Sequence, residues 1–299
     1  MKPSLQRRPF SAARLDALLA FCARRPASPF SPDLRRRLMT RLVSGPAGVI
    51  ELVDGGQTVA LAVAVDAVDS VADCAVLDML GGRAAADPIL DAAERFVAAG
   101  ARRGIEVPLT GHTAHWRPQL EARGYRVAYT SYEMETPARP PPPTPPLPGP
   151  DWRWVTATVA HAEAYHRVVA RAMGPVPGAY RSTLADFTRG LGEGQPEDLL
   201  VCGETIAGFV TVGAPLPAAP GLGHVHQIGR DPAFRGQGLG PILLARALNR
   251  LADLGAGRFA LDVTASNVAA LDLYLRHGFE IVEEIPVYRR LLIASAAPG

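Results

Sequence analysis

The stretch that decides the fold of this chain reads Gln227-Ile228-Gly229-Arg230-Asp231-Pro232-Ala233-Phe234-Arg235-Gly236-Gln237-Gly238-Leu239-Gly240-Pro241. It predicts a strand, a glycine-rich loop and the start of a helix. Glycine can adopt positive φ angles and leaves space for a phosphate beside the backbone. Backbone N–H groups and the helix dipole then point at one anion. Because proline lacks an N–H, Pro241 suits the first helical position. We therefore expect a pyrophosphate-binding loop.

A second pattern follows within forty residues of this loop. An amphipathic helix is predicted from Ile242 to Leu254, and a strand of apolar residues from Phe259 to Val263. Next come Ser266-Asn267, Ala270, Tyr274 and Gly278-Phe279, in the pattern Ser-Asn-x-x-Ala-x-x-x-Tyr-x-x-x-Gly-Phe. Together with Arg-x-x-Gly-x-Gly at 235–240, this block resembles the GNAT superfamily of acyl-CoA-dependent N-acyltransferases. The resemblance is clear over residues 220–290 and fainter over 151–220.

Length and composition narrow the class of protein. The 299 residues predict about two domains, and 48% hydrophobic residues are enough for two cores. A formal net charge of +2 gives no reason to expect a nucleic-acid or membrane partner. No run of eighteen apolar residues is present, so we expect no transmembrane helix. The three cysteines have no metal-binding spacing and favour a reduced, cytoplasmic compartment without a metal site.

A proline-rich segment divides the chain. Residues 137–150 contain nine prolines, which predicts an extended polyproline II linker of about 40 Å; an SH3-type ligand is the alternative. We accordingly expect a degenerate GNAT-like domain over 1–136, a linker over 137–150 and a catalytic GNAT domain over 151–299. Within the first domain, helices are predicted near 11–24 and 32–43.

The two halves share sequence features that indicate an internal duplication. Gly124-Tyr125 corresponds to Gly278-Phe279 with an offset of 154 (278 − 124), and Pro88-Ile89-Leu90 corresponds to Pro241-Ile242-Leu243 with an offset of 153 (241 − 88). The predicted fold class is therefore α/β (α+β), with two tandem GNAT-like domains. Each should contain a mixed, mostly antiparallel sheet flanked by helices.

The first copy lacks the functional residues. In this alignment the glycine loop becomes Gly81-Gly82-Arg83-Ala84-Ala85-Ala86, and Leu120 replaces Tyr274. The first half therefore keeps the framework of the domain but loses both the anion-binding loop and the phenol. We expect it to be the degenerate copy, and the active site to lie in the second half.

The resemblance implies that acetyl-CoA is the cosubstrate and assigns residues to it. The pyrophosphate is expected at the loop formed by Arg235, Gly236, Gln237, Gly238, Leu239 and Gly240. The pantetheine chain is expected to pair with Ile228, Gly229 and Arg230, where the Ile228 N–H polarises the thioester carbonyl. Asn267 matches the position that contacts the cofactor and orders the segment before Tyr274. No metal is implied.

Two residues are expected to carry the proton transfers. Tyr274 is the candidate general acid, because a phenol with a pKa near 10 is protonated at neutral pH; the alternative is a tyrosine packed at the edge of the core. His226 is the candidate base, since a neutral imidazole can accept a proton from an amine. A purely structural pair with His224 is the alternative for His226, and Glu283, Glu284 and Asp186 are further candidates for the base.

The expected reaction is direct transfer of an acetyl group from acetyl-CoA to a primary amine of a small molecule. The two-copy plan is similar to that of the mycothiol synthases, which acetylate a cysteinyl pseudodisaccharide, but His226 departs from their acidic residue. The same motifs also fit a peptide or protein N-terminal acetyltransferase, or a non-catalytic acyl-CoA-binding sensor. The protein is expected to be a monomer, as an internal pseudo-dimer, or a homodimer.

Overall fold

The computed structural model describes residues 4–9, 47–54, 57–65, 68–69, 74–98, 103–111, 113–181, 183–193, 197–213, 215 and 221–292. The helices expected near 11–24 and 32–43 lie outside these residues. The chain forms two compact units: unit one contains residues 1–130 and 284–299, and unit two contains residues 131–283. Each unit is a mixed sheet with flanking helices, so the predicted fold class is confirmed.

The elements follow one another in a similar order in the two halves of the sequence. The first half contains β1 (Ser4–Pro9), β2 (Ala47–Asp54), β3 (Gln57–Val65), β4 (Val68–Asp69), β5 (Cys74–Gly81), α1 (Ala86–Ala98), β6 (Gly104–Pro108), α2 (Arg117–Ala122) and β7 (Arg126–Glu135). The second half contains β8 (Trp152–Thr156), α3 (Ala162–Met173), β9 (Tyr180–Arg181), α4 (Leu184–Glu193), β10 (Asp198–Cys202), β11 (Thr205–Gly213), β12 (Leu222–Arg230), α5 (Leu239–Asp253), β13 (Arg258–Thr264), α6 (Val268–Arg276) and β14 (Glu280–Leu291).

The sheet of each unit has the same pattern of pairing. In unit one, β1, β2, β3 and β5 pair antiparallel in that order, β5 pairs parallel with β6, and β6 pairs antiparallel with residues 287–291 of β14. In unit two, β8, β10, β11 and β12 pair antiparallel, β12 pairs parallel with β13, and β13 pairs antiparallel with residues 131–135 of β7. In both units, an antiparallel series thus leads to a parallel pair and then to a strand from the other half of the sequence.

The turn that follows the last helix of each half is also repeated, bond by bond. Gly124 (φ 83°) and Gly278 (φ 71°) both adopt the left-handed conformation, as a helix ending in such a turn requires. The Tyr125 N–H donates to the Leu120 carbonyl at 3.0 Å, and the Phe279 N–H donates to the Tyr274 carbonyl at 3.1 Å. All three residue pairs keep the offset of 154 (278 − 124, 279 − 125, 274 − 120), which supports the internal duplication.

The proline-rich segment, residues 137–150, packs on unit two. The Arg139 N–H donates to the Gly257 carbonyl at 3.1 Å, and the Asn249 side-chain amide donates to the Pro142 carbonyl at 3.0 Å. Leu147 is partly buried against the core of this unit. The segment has no helix or strand of its own, because proline supplies no N–H for a ladder or a helical hydrogen bond.

Helix α5 begins three residues earlier than the sequence suggests. Its first residue is Leu239 and its N-cap is Gly238, so the predicted start at Ile242 was wrong. Pro241 is consequently the third helical residue rather than the first. The fold tolerates it there because N–H groups of the first helical turn have no intrahelical acceptor.

A buried ion pair anchors α5 to the sheet. The side chain of Asp198 is 4% exposed and lies 2.7 Å from Nε of Arg246 and 3.4 Å from Nε of Arg250. The Arg246 guanidinium also stacks over the Trp154 ring, 5.2 Å from its centroid. These contacts fix the helix whose first turn carries the glycine loop.

Replacing Asp198 by alanine should destabilise unit two by about 2 to 3 kcal/mol, because two arginines lose their buried counter-charge. The loss is below that of a fully buried pair, since Arg246 and Arg250 are 33% and 28% exposed. Hydrogen exchange of the α5 amides measures it. Asp272→Ala is the control: its ion pair with Arg276 is 57% and 63% exposed and should contribute about 0.5 kcal/mol or less. Equal effects of the two substitutions would contradict the anchoring role.

Candidate functional site

The glycine loop connects β12 to α5 through a short 3-10 helix, Pro232–Phe234. Gly236 has a φ of 79° and Gly238 a φ of 69°, both in the left-handed region. A Cβ added at either position would meet no atom within 4 Å. Glycine is therefore required there by the backbone conformation and not by crowding, and the space beside the loop is open.

The N–H groups of this loop are available to a ligand. Within the described part of the chain, the N–H groups of Gly236, Gly238 and Leu239 donate to no protein acceptor, whereas that of Arg235 donates to Pro232. Residues 235–238 are exposed. Because the helix dipole adds partial positive charge at the start of α5, the loop has the chemistry of an anion site and fits a pyrophosphate.

The side chains of Leu239 and Leu273 hold the loop against the core and against α6. Leu239 is 1% exposed and packs in the core of unit two. A Cβ at Gly240 would lie 3.2 Å from Cδ2 of Leu273, so this glycine allows α6 to approach the first turn of α5. Loop and α6 are thus held together at Gly240.

Asp231 fixes the entry to the loop. Its carboxylate accepts a hydrogen bond from the Ala233 N–H at 3.0 Å and is paired with Arg171 of α3. Burial alone would raise the pKa of this carboxyl, but the Ala233 N–H and the Arg171 guanidinium outweigh that effect and lower the pKa. Asp231 is therefore ionised at neutral pH and ties the loop to α3.

A gap between β12 and β13 extends from Val225 toward this loop. Their parallel register ends at Val225↔Leu261, although β12 continues to Arg230 and remains paired with β11. Among the described residues, no strand pairs with this side of β12 beyond Val225. Every second residue of a strand directs its N–H and C=O to one neighbour, so this edge of β12 can accept an extended chain. Ile228, Gly229 and Arg230 all lie in this segment. Gly229 is needed because a Cβ would collide with the Phe209 ring.

His226 lies where β12 separates from β13 and where a bulge interrupts its pairing with β11. Thr211 pairs with Gln227 and Val212 pairs with Val225, so His226 is the extra residue of a β-bulge, a device that redirects side chains near active sites. The side chain is exposed and its ring lies over Gly213, where a Cβ would collide with Nε2. Its Nδ1 lies 3.4 Å from Nδ1 of His224.

Asp262, which is not among the site residues expected from the sequence, extends this pair of imidazoles. His224 is 6% exposed, and its Nε2 lies 3.4 Å from Oδ2 of Asp262. The Cα partner of Asp262 on β7 is Glu133, which is 3% exposed. The sequence contained a signal for this acidic group, namely the alternation of apolar and charged residues. It is seen in Tyr132-Glu133-Met134-Glu135 and in Leu261-Asp262-Val263, and a period of 2 places the acidic residues of a strand on one face.

Tyr274 faces inward from α6. It is 9% exposed, and its ring lies 5.8 Å from that of Phe279 between centroids. No residue of the described part of the chain hydrogen-bonds to its hydroxyl, and burial raises the pKa of the phenol to about 12. A tyrosine packed at the core edge would have similar surroundings, and in that role too its hydroxyl would have no hydrogen-bond partner among the described residues.

The remaining candidates have different surroundings. Asn267 is the N-cap of α6, and its Oδ1 accepts a hydrogen bond from the Ala270 N–H at 3.3 Å. Glu284 is exposed and Glu283 is partly buried, and the side chain of Asp186 lies outside the described residues. The described part of the chain contains no group of three His, Cys, Asp or Glu side chains that could hold a metal ion. Nor does this part contain a helix long and apolar enough to cross a membrane.

Comparison with known proteins matches part of this chain to an acetyltransferase family. The model of the family described as Acetyltransferase (GNAT) family matches residues 163–279. The mycothiol acetyltransferase of Rhodococcus erythropolis is 40% identical over 91 residues, which are 30% of this chain and 30% of that protein. That of Kocuria rhizophila is 34% identical over 127 residues, 40% of this chain and 42% of that protein. The matched stretches thus span less than half the length of these curated relatives.

Solved structures match nearly the whole chain. A GCN5-related N-acetyltransferase from Sphaerobacter thermophilus has a TM-score of 0.70 at 17% identity and covers 98% of this chain and 97% of its own. A tandem GNAT protein from the clavulanic acid biosynthesis pathway has a TM-score of 0.67 at 16% identity, with 98% and 100% covered. At such identities the likeness concerns the fold, which is the tandem arrangement expected from the sequence.

Proposed function

We propose that this chain, whose residues 163–279 form a GNAT acetyltransferase domain, transfers an acetyl group from acetyl-CoA to a primary amine of a small molecule. The observation that carries the proposal is the set of N–H groups at Gly236, Gly238 and Leu239 that have no acceptor among the described residues, next to the free edge of β12. These features fit two consecutive parts of a CoA molecule, its pyrophosphate and its extended pantetheine chain. Arg235 and Gln237 flank the same anion site.

The acetyl-CoA site uses two parts of the backbone. The loop from Arg235 to Gly240 holds the pyrophosphate, and Ile228, Gly229 and Arg230 hold the pantetheine along β12. An N–H of this strand, which we assign to Ile228, donates to the thioester carbonyl and stabilises the charge that develops on its oxygen. Asn267 orders the start of α6 and keeps its side-chain NH₂ for the cofactor.

The general base is His226, supported by His224 and Asp262. The carboxylate of Asp262, whose Oδ2 lies 3.4 Å from Nε2 of His224, favours the tautomer with the proton on Nε2, so Nδ1 of His224 carries the lone pair. That atom accepts from Nδ1–H of His226, which leaves the lone pair of His226 on Nε2, above Gly213. This assignment uses the two 3.4 Å contacts and makes Nε2 of His226 the atom that accepts the proton from the amine.

The reaction is a direct attack. The amine nitrogen forms a bond to the acetyl carbon while its proton passes to His226, and the C–S bond breaks. Tyr274 donates its phenolic proton to the departing sulfur. Because burial raises the pKa of Tyr274 to about 12, the phenol is protonated over the whole neutral range and is ready to donate.

The test is release of free thiol from acetyl-CoA across a panel of primary amines, with product masses recorded. We expect thiol release that depends on the amine and matches the acetylated product one to one. Acetyl-CoA binding without thiol release for any amine would show a sensor and overturn the enzymatic proposal. Acetylation of peptide N-termini alone would move the acceptor to a different class.

A second candidate acceptor is favoured by the relatives. Both of the curated relatives described above carry the name mycothiol acetyltransferase, so the amine of a cysteinyl pseudodisaccharide belongs in the panel. A much higher kcat/KM for this acceptor than for simple amines would assign the chain to mycothiol synthesis. A cytoplasmic location, the absence of nucleic-acid and membrane partners, and a monomeric or homodimeric state belong to the same proposal.

A further inference from the structure

The proline-rich segment makes a specific contact with the end of α6. Nη2 of Arg139 donates a hydrogen bond to the carbonyl of His277, the C-cap residue of α6. The guanidinium lies directly over Gly278, where a Cβ would collide with Nη1. Meanwhile the Arg139 N–H is held by the Gly257 carbonyl at 3.1 Å. Backbone and side chain of one residue are therefore both fixed.

This contact holds the turn that supports Tyr274. Carbonyls at the C-terminus of a helix lack intrahelical donors and carry partial negative charge, so a guanidinium there is stabilising. The turn returns to the helix through the Phe279 N–H, which donates to the Tyr274 carbonyl at 3.1 Å. The Phe279 ring also packs on the Tyr274 ring. Arg139 thus restrains the element against which the phenol packs.

The same segment also contacts α5. The Asn249 side-chain amide donates to the Pro142 carbonyl at 3.0 Å and to the Thr144 hydroxyl oxygen at 3.3 Å. Helix α5 carries the glycine loop at its start, and α6 carries Tyr274. Since the prolines preset the backbone between these contacts, one stiff segment connects the helix of the anion site with the helix of the phenol.

Unit one provides a comparison within the chain. Its corresponding turn has the same left-handed glycine, Gly124, and the same return hydrogen bond. A Cβ at Gly124 would meet no atom within 4 Å, so among the described residues no guanidinium takes the place that Arg139 has over Gly278. In that half a guanidinium from the next strand contacts the end of α2 instead: Nη1 of Arg126 donates to the Glu121 carbonyl at 3.0 Å.

We propose that Arg139 is a positioning residue for the transfer reaction: from the proline-rich segment it fixes α6, and thereby sets where the Tyr274 hydroxyl lies relative to the acetyl-CoA site. The inference rests on the proposed function, because it needs Tyr274 to act as the acid. It assigns the segment between the halves a role in catalysis in addition to connection.

The test is a double-mutant cycle. Arg139→Met keeps the aliphatic chain and removes the guanidinium; we expect kcat to fall by about 10- to 100-fold, the scale of a displaced catalytic group, while the dissociation constant of acetyl-CoA stays within about twofold. Arg139→Lys should recover part of the rate. In a Tyr274→Phe background, Arg139→Met should lower the rate no further. Hydrogen exchange of the α5 amides checks that unit two remains folded.

A control arginine separates this role from general packing. Arg153 donates to a turn carbonyl, that of Gly203, at 2.8 Å, and Arg153→Met should leave kcat unchanged. Additive losses of Arg139→Met and Tyr274→Phe, or an unchanged kcat in Arg139→Met, would overturn the inference while leaving the enzyme assignment intact. An unchanged rate in Tyr274→Phe alone would instead remove the acid from the proposed function.

Discussion

Substituting aspartate for Gly238 is expected to abolish acetyl-CoA binding, with the dissociation constant rising by at least about 100-fold. The new carboxylate would lie at the N-terminus of α5, beside N–H groups that point at the pyrophosphate. At about 4 Å and an effective dielectric constant of 20, repulsion between two unit charges is about 4 kcal/mol, which corresponds to roughly 10³ in affinity. Isothermal titration calorimetry measures the loss.

Two controls isolate the charge from the backbone. Asparagine has the shape of aspartate without its charge, and either residue must adopt the φ of 69° at position 238. Gly238→Asn should therefore cost only the backbone strain of that conformation, about 1 kcal/mol. Ala84→Asp introduces a carboxylate at the exposed position of unit one that corresponds to Gly238. Gly82, which corresponds to Gly236, has a φ of −73°, so the loop there differs in conformation. This substitution should leave acetyl-CoA binding unchanged. Equal losses for asparagine and aspartate would show that no phosphate binds there.

Removing one oxygen atom from Tyr274 should have the second large effect. In Tyr274→Phe, kcat should fall by about 10² to 10⁴-fold, the contribution of a positioned acid, while acetyl-CoA binding is preserved. Stability should be preserved as well, because the hydroxyl has no protein partner in the described residues. Steady-state kinetics with a good acceptor measures the change.

The pH profile and a second tyrosine sharpen this result. Since burial raises the pKa of Tyr274 to about 12, the phenol should not cause a decline in rate between pH 7 and 10. Tyr125→Phe, in unit one, removes a hydroxyl that donates to Glu94 at 3.2 Å and should leave kcat unaltered. Should Tyr274→Phe retain the wild-type rate, the residue would be a core tyrosine and nothing more.

The sequence was sufficient where structure depends on near neighbours. The glycines at 236 and 238 predicted a loop with positive φ, and an apolar stripe predicted α5, because both signals lie within a few residues. The repeated Gly124 and Gly278 turns were visible for the same reason. The start of α5 was misplaced because proline is tolerated anywhere in a first turn, so Pro241 did not define it.

Parts of the site depend on which strands meet, and those could not be predicted. The bulge at His226 arises from its register with β11, and the contact of His224 with Asp262 arises from the parallel pairing of β12 and β13. Arg139 reaches His277 across 138 residues of sequence. Composition identified the proline-rich segment as extended, but no local pattern indicated that it packs against α6.

The most direct measurement is the stoichiometry of acetyl-CoA binding to the full chain by calorimetry. The central claim is that the open N–H groups at the start of α5 form a CoA site, and that the corresponding loop of unit one does not. This predicts one acetyl-CoA per chain. Binding of two molecules per chain, or of none, would contradict it.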